Sequence, residues 1–273
     1  MSKETDQILR SAWDEISNGY QERYEIGTSR IHYGPLCPSE DELQLLGDLN
    51  GKDVLEIGAG AGQNSIVAAK LGALAVAVDI SEVQISHGRK LAQQENVDVE
   101  FKVSSFMDFC EIGYDEDFDT ALSVYALQYC HDIDEMHTVF NGINKALRPG
   151  GRFVMSLDHP LRAHGYWEED KFITDNYFDR GTKTWKYKFP EKNIEPMMTG
   201  SFKTVSDYFS ALIETGFEVR KLLEPEPIPH DPNSNFGVLS QYGTCSTNDP
   251  YNYGNLQRIP GTIIFQSFKP IEL

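Results

Sequence analysis

The sequence predicts an α/β fold built around a mainly parallel sheet. Between residues 53 and 157, five short apolar runs alternate with segments of helical periodicity, and such alternation is typical of βαβ units. The first apolar run, DVLEI, leads into the glycine-rich stretch GAGAG, which indicates a ligand site at the end of a strand. The chain has 273 residues, of which 40% are hydrophobic, and this suits one large core.

The residues before the first predicted strand, 1–46, are expected to form an N-terminal helical cap. Their apolar residues recur at helical spacing: Ile8, Leu9, Trp13, Ile16 and Tyr20. After a turn-rich segment, Ser39 stands before three acidic residues and resembles a helix N-cap. The pattern therefore predicts a second helix that carries the leucines at positions 43, 45 and 46.

The main domain is predicted over residues 47–273 and begins with the alternating elements. The predicted strands are residues 53–57, 73–79, 99–103, 118–124 and 151–157, and the helices between them cover about 63–71, 82–94 and 134–147. Ser81 is the expected N-cap of the second of these helices. The stretch LRPGG is expected to end the third helix and to turn tightly into the fifth strand.

An insertion over residues 158–203 interrupts this alternation with aromatic and charged side chains. The segment TWKYKF predicts a hairpin within it. A helix over 206–216 and the strands FEVRKLL and GTIIFQSF complete the domain. Between these two strands, residues 225–260 form a long loop, and a loop of that length more often acts as a functional lid than not.

Charge and composition exclude several classes of function. The net charge is −18, with 42 acidic residues against 24 basic ones, and this charge repels a phosphate backbone. A nucleic-acid partner is therefore not expected. The four cysteines are scattered without a CxxC pair, so we expect free thiols and no metal centre. The sequence has neither a run of about eighteen uncharged apolar residues nor an apolar leader, so we expect a cytoplasmic protein that does not bind membranes.

The glycine-rich stretch favours an adenosine-type cofactor over a dinucleotide. The spacing is GxGxG, and Gln63 occupies the place of the third glycine in a GxGxxG fingerprint. Glu56 precedes the first glycine, where its charge repels a pyrophosphate and attracts an ammonium group. Asp79 ends the second strand, twenty-one residues after Gly58, and a carboxylate there can accept both hydroxyls of a ribose.

Four motifs together resemble those of class I S-adenosylmethionine-dependent methyltransferases of the small-molecule type. They are VLEIGAGAG, VDIS at Asp79, FDTALSVYALQYC and LRPGGRFVMS, in that order and spacing. The resemblance implies a doubly wound, Rossmann-like sheet of seven strands whose last strand is antiparallel. It also implies S-adenosyl-L-methionine as cofactor and S-adenosyl-L-homocysteine as product.

The resemblance assigns cofactor contacts by position. The residues around the methionine part are Glu56, Gly58, Ala59, Gly60 and Asn64, and those at the ribose and adenine are Asp79 and Ile80. Further expected contacts are Ser105 and Phe106 after the third strand, Ser123 and Val124 at the end of the fourth, and Tyr20, His32 and Tyr33 from the cap. Ser105 departs from the family, which often has an acidic residue there. Trp13 and Tyr24 are equally explained by packing of the cap.

The residues that follow strands four and five are the candidates for chemistry and for acceptor binding. His159 is the expected general base, with Tyr125 as second choice, and Asp158 stands beside His159. The alternative is that Asp158 and His159 only hold the turn. The expected substrate contacts are Tyr129, Tyr166, Trp167 and Tyr177, with Phe178 and Trp185 in the same wall. A small satellite core explains the aromatic residues of the insertion equally well.

The predicted activity is methyl transfer to an oxygen or nitrogen atom of a small organic acceptor. It requires an in-line arrangement of nucleophile, methyl group and sulfur, with water excluded. The alternatives are methylation of an RNA base or a protein side chain, and a non-catalytic module that binds S-adenosylmethionine. The oligomeric state stays open.

Overall fold

The computed structural model describes residues 3–187, 193–229 and 252–271. Its strands are β1 (Asp53–Ile57), β2 (Leu74–Asp79), β3 (Val99–Val103), β4 (Phe118–Val124), β5 (Leu147–Asp158), β6 (Gly165–Glu168), β7 (Lys171–Thr174), β8 (Thr182–Lys186), β9 (Met197–Ser201), β10 (Glu218–Leu223) and β11 (Thr262–Phe268). Its helices are α1 (Lys3–Tyr24), α2 (Glu40–Leu43), α3 (Gln63–Lys70), α4 (Glu82–Glu95), α5 (Phe106–Glu111), α6 (Ile133–Ala146), α7 (Pro160–Ala163), α8 (Val205–Glu214) and α9 (Tyr253–Leu256), with a 3₁₀ turn over Leu127–Tyr129.

Seven strands form one sheet in the order β10-β11-β5-β4-β1-β2-β3. The pairings of β1 with β2 and β4, of β2 with β3, and of β4 with β5 are parallel. The last strand, β11, runs antiparallel to both of its neighbours, β5 and β10. The seven-stranded, mostly parallel sheet with an antiparallel last strand is therefore confirmed.

Both faces of the central strands are covered, and β1, β4 and β11 are accordingly almost continuously buried. Leu55 and Ile57 of β1 belong to one buried cluster with α6 and α8. Val54, on the opposite face of the same strand, belongs to a second cluster with Val67 of α3 and with leucines of the cap. Successive side chains of a strand point to opposite faces, so one short run supplies both cores.

The helices begin where the sequence supplies capping residues. Ser81 accepts a hydrogen bond from the Gln84 backbone N–H at 3.1 Å, so the predicted cap of α4 is confirmed. Asp132 accepts from the Glu135 N–H at 2.8 Å at the start of α6. The buried face of α6 carries apolar residues at helical spacing: Met136, Val139, Phe140 and Ile143.

Two local expectations differ from the structure. Helix α2 ends at Leu43 because Gln44 adopts a left-handed conformation with φ 50°, and the carboxylate of Glu40 then accepts the backbone N–H groups of Leu45 and Leu46. The predicted helix is therefore shorter than its leucines suggest. Strand β5 already begins at Leu147, which pairs with Phe118, so LRPGG lies within the strand.

The insertion forms two antiparallel hairpins, β6–β7 and β8–β9. The predicted hairpin in TWKYKF corresponds to β8, which pairs with a strand that the pattern did not indicate, β9. The predicted lid over residues 225–260 lies mostly outside the described residues. Within the described ranges, no helix has the length and apolar character that a membrane span requires.

Candidate active site

A cavity of about 630 Å³ lies at the carboxyl ends of β1, β2, β4 and β5. Helix α1 covers one side with Leu9, Trp13 and Tyr20, and the β8–β9 hairpin and the residues after it cover another with Trp185 and Phe202. The volume falls in the range typical of small-ligand sites, roughly 300 to 1,000 Å³. An open parallel sheet places its ligand at this edge.

The turn after β1 brings bare backbone to the cavity. Gly58, Gly60 and Gly62 have φ values of 68°, 57° and 67°, in the left-handed region that glycine tolerates best. At Gly58 an added Cβ would lie 2.1 Å from the Cβ of Ala126. The position therefore excludes a side chain both by conformation and by space. We call residues 58–62 the glycine turn.

Asp79 ties the end of β2 to the glycine turn. Its carboxylate accepts the backbone N–H of Gly60 at 2.8 Å and that of Ser81 at 2.9 Å, and it lines the cavity. A carboxylate offers about four acceptor positions, so two backbone bonds leave room for hydroxyl donors. Burial raises the pKa of Asp79 to about 6.

Glu56 and Asn64 connect the glycine turn to the cap. The buried Glu56 carboxylate accepts the Ser65 N–H at 2.9 Å and the Ser65 hydroxyl at 2.6 Å, and burial raises its pKa to about 7. The Asn64 amide accepts the His32 backbone N–H at 2.9 Å and donates to the His32 carbonyl at 3.3 Å. Desolvation lowers the pKa of His32 to about 4, so its ring is neutral at pH 7.

Three glutamines hold α1 over the cavity. The Gln21 amide donates to Gln84 of α4 at 2.8 Å and accepts from Gln63 of α3 at 2.8 Å. All three side chains line the cavity. No local pattern indicates this contact, since it joins residues that are 42 and 63 positions apart along the chain.

Aromatic rings form another part of the cavity wall, which we call the aromatic end: Tyr24, Tyr129, Trp185, Tyr187 and Phe202. Tyr129 and Trp185 stack with ring centroids 6.4 Å apart, and Trp185 stacks on Phe202 at 5.8 Å. The hydroxyls of Tyr24 and Tyr187 lie 3.1 Å apart. Asp158 also lines the cavity and raises the pKa of the Tyr129 hydroxyl by its charge, after the larger effect of burial.

The cavity brings together most of the residues predicted to bind the cofactor. Those that line it are Tyr20, His32, Glu56, Gly58, Ala59, Gly60, Asn64, Asp79, Ile80, Phe106 and Val124. Of the residues predicted for catalysis and acceptor binding, Tyr125 and Tyr129 line it. Tyr125 has φ 53°, and its hydroxyl contacts the Gly261 carbonyl at 3.1 Å and the Thr262 hydroxyl at 2.7 Å.

Three predicted cofactor residues lie behind the cavity wall. Tyr33 is fully buried and donates its hydroxyl to Glu40 at 2.5 Å. Ser105 caps α5 by accepting the Asp108 N–H at 3.1 Å. The Ser123 hydroxyl donates to the Ile57 carbonyl at 2.8 Å. Each of the three side chains is engaged in the scaffold and does not line the cavity.

His159, the expected general base, also lies outside the cavity lining, and this placement corrects that expectation. Its Nδ1 accepts the Leu161 N–H at 3.1 Å, which caps α7, and its Nε2 lies 2.7 Å from Glu224. Both ring nitrogens are thus occupied by protein groups. The preceding residue, Asp158, faces the cavity in its place.

Three of the four predicted substrate residues also lie away from the cavity. Tyr166 is 57% exposed, and the buried Nε1 of Trp167 has no hydrogen-bond partner among the described residues. The Tyr177 hydroxyl accepts the Val205 N–H at 3.1 Å. Phe178, from the same predicted wall, is 70% exposed. The insertion contributes Gly165, Trp185 and Phe202 to the cavity instead.

The motifs did not indicate several polar residues that line the cavity: Asp6, Gln21, Gln84 and Glu135. Burial raises the pKa of Glu135 to about 7, and its carboxylate accepts the His131 N–H at 2.7 Å. Asp6 lies beside Ser105, with which it forms a hydrogen bond, and burial raises its pKa. A polar residue on a cap helix or after a strand has no pattern that distinguishes it from a surface residue.

Comparison with known proteins places this arrangement among methyltransferases. A family model described as a methyltransferase domain matches residues 48–194. The ubiquinone biosynthesis O-methyltransferase of Mesorhizobium japonicum is 27% identical over 195 residues, which cover 71% of this chain and 74% of that protein. The protein of the same name from Parvibaculum lavamentivorans is 29% identical over 68% of this chain and 70% of its own length.

Solved structures agree on the fold. A putative S-adenosylmethionine-dependent methyltransferase from Listeria monocytogenes superposes with a TM-score of 0.62 at 22% identity, covering 83% of this chain and 93% of its own. The 1,6-didemethyltoxoflavin-N1-methyltransferase of Burkholderia thailandensis has a TM-score of 0.58 at 18% identity. The superposition covers 98% of this chain and 89% of that protein.

Proposed function

The chain belongs to the methyltransferase domain family and is an S-adenosylmethionine-dependent methyltransferase, and from this premise we propose that it methylates an oxygen or nitrogen atom of a small organic acceptor. The single observation that carries the proposal is the cavity, which runs from the glycine turn to the aromatic end beneath α1. An enclosed site of this size admits a cofactor and an acceptor of modest size.

The residues at the glycine turn fit S-adenosylmethionine. At Gly60 the space that a Cβ would occupy is open, with only the Gln84 Oε1 as near as 4.0 Å, and the buried Nδ1 of His32 has no partner among the described residues. We propose that Asp79 holds the ribose hydroxyls and that Glu56, Asn64 and the glycine turn surround the methionine part. When bound, the cofactor supplies an activated methyl group on a sulfonium.

The chain itself contributes orientation, exclusion of water and a proton acceptor. Helix α1 and the β8–β9 hairpin close the cavity, which favours methyl transfer over competing reactions with water. We propose Asp158 in place of His159 as the group that takes a proton from a protonated acceptor. Burial raises the pKa of Asp158, and Arg162 holds its Oδ1 at 2.6 Å from Nε.

Charge and relatives support a small acceptor over a macromolecule. The net charge of −18 disfavours an RNA substrate. The relatives from M. japonicum and P. lavamentivorans are named as O-methyltransferases, which supports oxygen as one candidate atom. The cytoplasmic location stays part of the proposal.

Incubation of a cell extract with labelled methyl donor tests this function. We expect label in the small-molecule fraction, and Asp79→Ala should reduce it strongly. Label confined to the RNA or protein fraction would contradict the proposal, whereas no label in any fraction with intact cofactor binding would favour a non-catalytic module.

A further inference from the structure

The charged side chains that line the cavity are all acidic. None of the lining residues in the described ranges is Lys or Arg. Five carboxylates face the cavity: Asp6, Glu56, Asp79, Glu135 and Asp158. Asp79 and Glu56 bond the glycine turn and the start of α3, and Asp6 bonds Ser105 and acts through its charge on Glu135. Asp158 lies close enough to Tyr129 of the aromatic end to act on it through its charge. In a partly enclosed cavity, solvent screens these charges less than at a surface.

The cations around the cavity lie outside its lining within the described residues. Arg162 pairs with Asp158 at Oδ1 and does not line the cavity. Lys203 is 1% exposed and donates to the Cys130 and Ser201 carbonyls. Arg23 and Lys183 lie over the rings of Tyr24 and Phe202 at 5.5 and 5.2 Å. These four cations offset part of the negative charge, but none of them lines the cavity. A carboxylate or phosphate on the acceptor would therefore lose its hydration without gaining a cationic partner.

The hydrogen-bonding groups at the aromatic end also favour a ligand that donates hydrogen bonds over an anionic one. The buried Oε1 of Gln128, which lines the cavity, has no partner among the described residues. Asp158, when ionised, can only accept. These acceptors are satisfied by a ligand that donates, and an ammonium group provides three donors.

Ring faces surround these acceptors. The stacked pair Tyr129–Trp185 is joined by Trp13, whose ring lies edge-on to Tyr129 at 5.8 Å. Aromatic faces bind planar apolar bodies, and they attract cations placed over the ring with about 0.5 to 2 kcal/mol. A ring wall beside a carboxylate is thus suited to an organic amine.

We propose that the acceptor, if the proposed function holds, is an amine on a planar apolar body, that it is methylated at nitrogen, and that Asp158 binds this nitrogen. The ammonium form donates to Asp158, whose carboxylate takes one proton and so exposes the nitrogen lone pair. The N–C bond then forms as the C–S bond breaks, and the C–S electron pair remains on sulfur. The product leaves as a methylammonium ion, and the proton on Asp158 passes to water.

Three probes of nearly equal shape test the proposal: 2-(1-naphthyl)ethylamine, 2-(1-naphthyl)ethanol and 1-naphthaleneacetate. They are titrated calorimetrically into protein saturated with S-adenosylhomocysteine at pH 7.5. We expect the amine to bind at least ~10-fold more tightly than the acetate, with the alcohol between them. Equal or tighter binding of the acetate, or no binding of any probe, would overturn the proposal.

Two variants identify the source of the preference. Asp158→Asn should remove most of the difference between amine and acetate, and Trp185→Leu should weaken the amine more than the acetate. The matched controls, Asp175→Asn and Phe178→Leu, lie outside the cavity. Both should leave the difference in affinity between amine and acetate unchanged. If neither Asp158→Asn nor Trp185→Leu changes the preference while both still bind S-adenosylhomocysteine, the assignment is wrong.

The design separates this inference from the function on which it rests. If the folded wild-type protein does not bind S-adenosylhomocysteine, the proposed function itself is contradicted. Retained cofactor binding without a preference for the amine would contradict only the acceptor class.

Discussion

Asp79 supports the scaffold and, on our proposal, also binds the ribose of the cofactor. It accepts two backbone N–H groups, from Gly60 and Ser81, and still faces the cavity. Asp79→Ala should weaken binding of S-adenosylhomocysteine by about 1 to 3 kcal/mol, because charge-assisted hydrogen bonds are lost. Calorimetry measures this, with the exposed Asp98→Ala as control. Unchanged affinity would show that the ribose is held elsewhere.

The pH dependence of cofactor binding follows from the same residue. The pKa of Asp79 is raised to about 6 in the free protein, and only the ionised form accepts from two hydroxyls. Protonation of Asp79 alone should therefore lower the affinity for S-adenosylhomocysteine roughly tenfold from pH 8 to pH 5, and this contribution should level off above about pH 7. In Asp79→Asn, the affinity should no longer depend on the ionisation of a group with a pKa of about 6. The pH dependence due to Glu56, whose pKa is about 7, should remain. A wild-type affinity that rises as the pH falls would contradict this assignment.

Asp158 and His159 are adjacent, but only Asp158 lines the cavity, and we propose different roles for the two. His159→Ala should leave cofactor affinity and kcat nearly unchanged and lower the free energy of unfolding by about 1 to 3 kcal/mol, since a helix cap and a buried hydrogen bond are lost. Asp158→Asn should lower kcat by at least ~100-fold, a typical loss for a general base. Turnover assays and denaturant unfolding check both variants. The reverse pattern would restore His159 as the base.

At the scale of elements, α1 closes the cavity through a contact that a single side chain organises. Gln21 joins α1 to both α3 and α4. Gln21→Ala should raise the dissociation rate of S-adenosylhomocysteine about fivefold, because about 1 kcal/mol of hydrogen bonding is lost from the closed form. Stopped-flow displacement measures the rate, and the exposed Gln7→Ala on the same helix is the matched control. Equal rates in both variants would mean that α1 does not close over the cofactor.

The elements of the sheet could be predicted because their signals are local. Apolar runs such as DVLEI and the Ser81 cap depend on residues within a few positions of each other. Strand β9, the partner of β8, could not be predicted. Its sequence, MMTGS, has no alternating pattern, and its pairing is set by tertiary contacts.

The candidate site also has one part that local sequence signals predict and one part that they do not. The glycine turn and Asp79 follow from spacing, whereas the division of labour between Asp158 and His159 depends on which face each side chain takes. Neighbouring residues at a strand end point to opposite sides, so a shift of one residue exchanges their roles. In the structure Asp158 ends β5 opposite Thr262 and lines the cavity, whereas His159 caps α7.

At the scale of the whole molecule, the acidic charge extends from the surface into the cavity. The chain carries a net charge of −18, and the charged side chains that line the cavity within the described residues are carboxylates. Such a field attracts a cationic cofactor and, on our proposal, a cationic acceptor. The association rates of both should therefore fall with ionic strength. Rates that are independent of salt would contradict this electrostatic contribution.

The central claim is that the cavity at the carboxyl ends of the strands binds the methyl donor, and titration of the purified protein with S-adenosylhomocysteine tests it most directly. This ligand is not turned over and requires no knowledge of the acceptor. We expect one site per chain with micromolar affinity, and loss of most of the heat in Asp79→Ala. Absence of binding in folded protein, or equal binding by Asp79→Ala, would contradict the account of the site.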